Sequence, residues 1–160
     1  MISSTLTKLF EINVHTMRVN TEGITDDEAL IQPEPGGNCM NWVIGHILSS
    51  REGMLRLLGE PTVLSPEIAE RYKRGSAPIT KASAAKGDGL PFSKLREALT
   101  TSQERLLRGI SKADDAKWSE IVPNFGTARE AVHFLHFHEA YHAGQVALLR
   151  RLAGKKGAIQ

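Results

Sequence analysis

The sequence predicts an all-α protein, a four-helix bundle forming a single domain over residues 1–160. Long segments repeat apolar residues at spacings of three and four, the period of one helix face. No run alternates apolar and polar residues as a half-buried strand would, and no fixed-period repeat occurs. With 160 residues, 41% of them hydrophobic, the chain can bury one sizeable core but not two ordinary ones.

The first long helix is expected from about Ser3 to Val19, where Leu6, Leu9, Phe10, Asn13, Val14 and Met17 share a face. Thr25-Asp-Asp-Glu28 has the capping-box pattern and predicts a short helical turn ending near Ile31. Pro33-Glu-Pro-Gly-Gly37 then breaks the chain. Asn38 is placed to cap a second long helix from about Cys39 to Leu58, stopped by Gly59 and Pro61. Between Gly59 and Leu90, Ser65-Pro66-Glu67 favours a short helix that Gly75 ends. So long a connection either covers a site mouth or crosses the bundle end. The third long helix runs from about Phe92 to Ile110, on the stripe Leu95, Leu99, Leu106, Leu107 and Ile110. A connection containing Trp118 and Pro123 leads to the last helix, from about Thr127 to Leu152, which ends before Gly154.

Charge and composition narrow the partners. The formal charge is +2, and Lys and Arg are spread along the chain except at Arg150-Arg151 and Lys155-Lys156. Those clusters suit the negative end of the last helix, so no nucleic-acid partner is expected. The longest apolar stretches, such as Trp42 to Leu48, stop well short of the roughly 20 residues of a membrane span. The N-terminal residues lack the features of a secretory signal. The single cysteine, Cys39, cannot form an intramolecular disulfide. A cytoplasmic protein is expected. Cys39 either gains thiolate character from a helix dipole or packs as an ordinary partly buried side chain.

The chemistry concentrates in His133-Phe-Leu-His136-Phe-His138-Glu-Ala-Tyr-His142-Ala-Gly-Gln145, which holds four of the six histidines. Residues four apart differ by about 40° around a helix and lie about 6 Å apart along it, so His138 and His142 can share a site. His136 is rotated roughly 160° from His138, and His133 about 140°, so neither joins that pair. Two imidazoles make an incomplete site for a divalent metal, and the third donor must come from elsewhere. His46 is the best candidate, because an unpaired polar ring in Trp42-Val-Ile-Gly-His-Ile-Leu48 would cost stability; His15 is the fallback. The metal-free alternative is that these rings simply bond to neighbouring carbonyls or carboxylates.

His138-Glu139-Ala-Tyr-His142 also matches the H-E-x-x-H signature of zinc proteases, with Glu139 as the base that activates a zinc-bound water. Residues 143–160 contain no His, Asp or Glu to complete such a site downstream, and Gly144 is misplaced for the extended spacing. The protease reading is therefore the least favoured. Glu139 is rotated about 100° from His138 and faces either a neighbouring helix or solvent. Gln145 can bond to a ligand ring or bound water, or merely pack against a helix. Trp42 and Tyr141 can wall a pocket, with Tyr141 offering a hydroxyl to substrate, although Trp42 equally suits the core.

The order Pro-Glu-Pro-Gly-Gly-Asn-Cys-Met-Asn-Trp-Val-Ile-Gly-His46, then Val122-Pro-Asn-Phe-Gly126, then His138-Glu-Ala-Tyr-His-Ala-Gly-Gln145 resembles the DinB-like superfamily, which includes the YfiT-type proteins. The likeness extends over most of the chain. It implies an up-down-down-up bundle, frequent homodimers, and His46, His138 and His142 as ligands of nickel or zinc with water in open positions. Similar proteins include metal-dependent thiol transferases, a thiol-dependent isomerase and members without an assigned reaction. The resulting expectation is a metal-dependent enzyme that activates water or a low-molecular-weight thiol toward a small-molecule substrate, as a hydrolase or thiol S-transferase. The alternatives are a non-catalytic metal-binding stress-response protein and a helical interaction module.

Overall fold

The chain carries, in order, α1 (Ile2–Thr21), α2 (Met40–Leu57), α3 (Pro66–Arg71), α4 (Lys81–Ala84), α5 (Phe92–Lys112), α6 (Asp115–Ser119), β1 (Ile121–Val122), β2 (Gly126–Thr127) and α7 (Ala128–Leu152). This is a computed structural model describing residues 2–159; the expected domain limits at Met1 and Gln160 lie outside the described residues. The fold is all-α apart from the two-residue pair β1–β2.

Side-chain contacts give the directions of the four long helices. Asn41 Nδ2 donates to the Leu90 carbonyl, Arg51 reaches Ser102, and Leu58 lies against Gly109, so α2 and α5 run parallel. Asn13 bonds to the His136 carbonyl and Arg150 to the Asn20 carbonyl, so α1 and α7 are also parallel. Arg51 meets Glu139 across α2 and α7, and His46, earlier in α2, sets its ring against His142, later in α7, which makes those two helices antiparallel. The sense is up, down, down, up, with α2 packed between α5 and α7. The parallel α2–α5 pair explains the long connection. The chain must return the full length of the bundle before α5 begins, and α3 and α4 lie on that return.

Two apolar clusters fill the interior. Ile44, Ile47, Tyr72, Phe92 and Val146 lie in one, and Phe10, Leu55, Leu106, Trp118 and Leu135 in the other. Between them sits a fully buried polar layer centred on Arg51 and Glu139.

Thr25 and Glu28 form the expected reciprocal cap over a 3₁₀ turn at Glu28–Leu30. One capping expectation needs correction, one of the two readings of Cys39 is decided, and a short hairpin was not expected. Asn38 does not cap α2: Cys39 occupies that position in extended conformation, without a side-chain cap bond, and Asn38 lines a cleft. The Cys39 side chain turns into the core, where its thiol bonds to the Ile79 carbonyl at 3.3 Å, and burial pushes its pKa up. Desolvation outweighs the helix dipole, so the thiolate reading fails. The last helix is capped by Thr127 in a capping box with Glu130, directly after the short hairpin β1–β2. Strands of two residues are too short to leave an alternation pattern. Among the described residues, no helix is long and apolar enough to cross a membrane.

Candidate metal centre

The antiparallel packing of α2 on α7 brings three histidines together. His138 Nε2 lies 3.1 Å from His46 Nε2 and 3.1 Å from His142 Nε2. One ligand atom from each residue falls within 4.8 Å of the others. His46 and His142 are buried, and His138 is half-buried.

Two of the rings are oriented by carbonyl oxygens behind them. His46 Nδ1–H donates to the Tyr72 backbone carbonyl at 2.9 Å, and His142 Nδ1–H donates to Gln145 Oε1 at 2.7 Å. Gln145 Nε2 in turn donates to the Tyr141 hydroxyl at 3.4 Å. A neutral imidazole that donates from Nδ1 carries its lone pair on Nε2. The Nε2 lone pairs of His46 and His142 therefore face His138, which can donate a single Nε2–H to one of them at a time. His138 Nδ1 is buried without a partner among the described residues.

Protonation offers no way out of this crowding. Burial, then the charges of His142 and His46, push the His138 pKa down to about 4. Burial also lowers the pKa values of His46 and His142. The cluster is thus held as neutral rings with crowded lone pairs, a donor set suited to a cation. Two imidazole nitrogens bound to one ion at about 2.0–2.1 Å stand roughly 3–3.4 Å apart, the separation present between His138 and each of the other two rings.

The support behind His46 depends on Gly45. A Cβ at this position would meet the Tyr72 ring at 2.1 Å, so only glycine lets Tyr72 close on α2 and present its carbonyl. Tyr72 is fully buried; its hydroxyl donates to Asn41 Oδ1 at 2.9 Å and accepts from the Leu90 N–H at 2.8 Å. Trp42 stacks on the His46 ring, centroids 4.7 Å apart, and donates its indole N–H to Ser76 Oγ at 2.9 Å.

The histidines open onto a cleft of about 600 Å³, walled by Trp42, Val43, Leu148 and Leu149, with Tyr141 and Arg74 also lining it. Tyr141 is 59% exposed and sets its ring against His142. Tyr72, Ser76 and Arg74 had no signal in the sequence, because they lie in the irregular connection. Gly45, in the middle of an otherwise regular helix, was the one visible hint of a close approach.

Other candidates lie elsewhere. Glu139 is fully buried on the opposite side of the α7 backbone from solvent, with both carboxylate oxygens accepting from Arg51 at 2.6 and 2.8 Å. It anchors the bundle interior and is not among the residues lining the cleft. His133 is exposed, and His136 sets its ring edgewise against Phe10 at 5.7 Å. His15 lines a separate groove with Arg18, Glu22, Ser93 and Arg96.

No curated protein matches the chain. A crystal structure of a conserved protein from Enterococcus faecalis has a TM-score of 0.73, covering 96% of this chain and 98% of that one at 17% sequence identity, so the fold is shared. The family model of the DinB superfamily matches residues 9–146, a span reaching from α1 into α7 and containing all three clustered histidines. The chain belongs to the DinB superfamily.

Proposed function

We propose that the protein is a metal-dependent enzyme in which His46, His138 and His142 hold one divalent ion, nickel or zinc, beneath a cleft that admits a small-molecule substrate. The observation that carries this reading is the convergence of three histidines, with His138 Nε2 3.1 Å from the Nε2 atoms of both His46 and His142 and the lone pairs of those two directed at the centre. An ion bound there would supply Lewis acidity, lowering the pKa of a coordinated water or low-molecular-weight thiol for hydrolysis or thiol S-transfer.

The chain's own residues divide the remaining work. Three neutral imidazoles leave the positive charge of the ion undiminished. The Tyr72 carbonyl and the Gln145 amide hold two rings in their tautomers, a role whose loss weakens metal binding by roughly 10–100-fold in comparable sites. Trp42, Val43, Leu148 and Leu149 offer apolar contact to substrate, and the exposed Tyr141 hydroxyl offers a hydrogen bond. Among the described residues lining the cleft none is Asp or Glu. With Glu139 committed to Arg51, the protease reading loses its base. This lack of a carboxylate favours nucleophile activation by charge, and is also the observation that keeps a non-catalytic metal-binding stress-response role as the second reading.

A panel of electrophiles offered with water alone or with several biological thiols tests the choice. Turnover is expected in the metal-loaded protein, abolished by chelation and reduced at least about 100-fold in His46→Ala. Metal binding without turnover across the panel would favour the stress-response reading.

We also place the protein in the cytoplasm, a reading supported by the free thiol of Cys39, and propose that it is a homodimer. Phe134, Phe137 and Leu148 on α7 are exposed, as is Ile12 on α1, the helix packed beside it. Light scattering is expected to give twice the 17.6 kDa chain mass.

A further inference from the structure

The connection between α2 and α5 carries three cations in four positions, Arg71, Lys73 and Arg74. Two are already paired. Arg71 is neutralised by Asp88 and also donates to the Ala77 carbonyl at 2.7 Å; Lys73 pairs with Glu70. Arg74 has no ion-pair or hydrogen-bond partner among the described residues, and it is the one that lines the histidine cleft.

Its backbone is positioned by the same contacts that build the metal centre. Two residues before it, the Tyr72 carbonyl accepts from His46; two residues after it, Ser76 accepts from the Trp42 indole. The Ser76 N–H closes the turn on the Lys73 carbonyl at 3.1 Å, with Gly75 supplying the left-handed backbone (φ +81°). Arg74 is the one Asp, Glu, Lys or Arg among the described cleft-lining residues, and the same cleft has apolar walls at Trp42, Val43 and Leu148.

We propose that Arg74 is the specificity-determining residue of the cleft, and that the substrate is a small molecule with an apolar body and an anionic oxygen group, a carboxylate or phosphate. A guanidinium is always charged and presents a planar fork that matches such groups with two parallel hydrogen bonds. The apolar body lies against Trp42 and Leu148, and the anionic end meets Arg74 at the cleft margin. This inference rests on the proposed function of the same cleft and names the substrate class.

Benzoate and its uncharged counterpart benzamide serve as probes, titrated calorimetrically into metal-free and zinc-loaded protein. The metal-free comparison isolates Arg74, since a bound ion would itself attract a carboxylate. The wild-type metal-free protein is expected to bind benzoate about tenfold more tightly than benzamide, with the preference lost in Arg74→Gln and partly kept in Arg74→Lys. No benzoate preference in the wild type, or an undiminished one in Arg74→Gln, would overturn the proposal. Failure of zinc to bind would instead count against the metal-dependent reading and leave the metal-free comparison intact.

Discussion

Replacing Glu139 with alanine is expected to destabilise the folded protein by about 3–5 kcal/mol, read from the midpoint of urea unfolding. Arg51 is fully buried and spends four of its five N–H groups on Glu139 Oε1 and Oε2, Ser102 Oγ and Gln103 Oε1. Removing the carboxylate leaves a guanidinium enclosed between two apolar clusters with no counter-charge. Both partners must go together for the layer to recover: Arg51→Met with Glu139→Leu is expected to be markedly more stable than either single change. A base at the metal would behave differently, with its loss lowering turnover and sparing the unfolding midpoint. A midpoint shift under about 1 kcal/mol in Glu139→Ala would mean that the ion pair contributes far less than its burial implies.

The second large effect is on the histidine centre itself. Nickel or zinc at a hundred times the dissociation constant is expected to add about 2.7 kcal/mol of stability. For a chain of this size that raises the melting temperature by roughly 5–10 °C. Chelation should reverse the shift. In His138→Ala the shift should vanish, whereas the melting temperature of the metal-free protein should change little, because His138 is half-buried and its Nδ1 bonds to nothing in the described chain. His46→Ala should lose the shift as well. It should also lower the metal-free melting temperature, since it removes the bond to the Tyr72 carbonyl and the stack under Trp42.

The helices and the histidine cluster were legible in the sequence for physical reasons. Apolar spacing marked the long helices, and the angular separation of positions four apart singled out His138 and His142 while setting aside His133 and His136. His46 was legible because a lone polar ring in an apolar helix needs a partner. What surrounds these rings was not. The Tyr72 carbonyl, Ser76 and Arg74 reach the site through a connection whose path depends on the parallel arrangement of α2 and α5, a tertiary fact with no local periodicity. Glu139 illustrates the opposite error. Its motif suggested catalysis, but its rotation from His138 carries it into the interior, where Arg51, part of no recognisable motif and distant in sequence, claims both oxygens. Asn38 and Cys39 show the limit of capping preferences: α2 begins where Cys39 can bury its side chain against Ile79, one residue later than the better capping residue.

If three imidazoles hold one ion, the ion can be counted by elemental analysis of protein purified without a polyhistidine tag, reconstituted with nickel or zinc and passed through a desalting column. One ion per chain is expected in the wild type, with almost none in His46→Ala, His138→Ala or His142→Ala. Wild-type protein that retains no metal, or a His138→Ala variant that retains as much as the wild type, would contradict binding by three imidazoles.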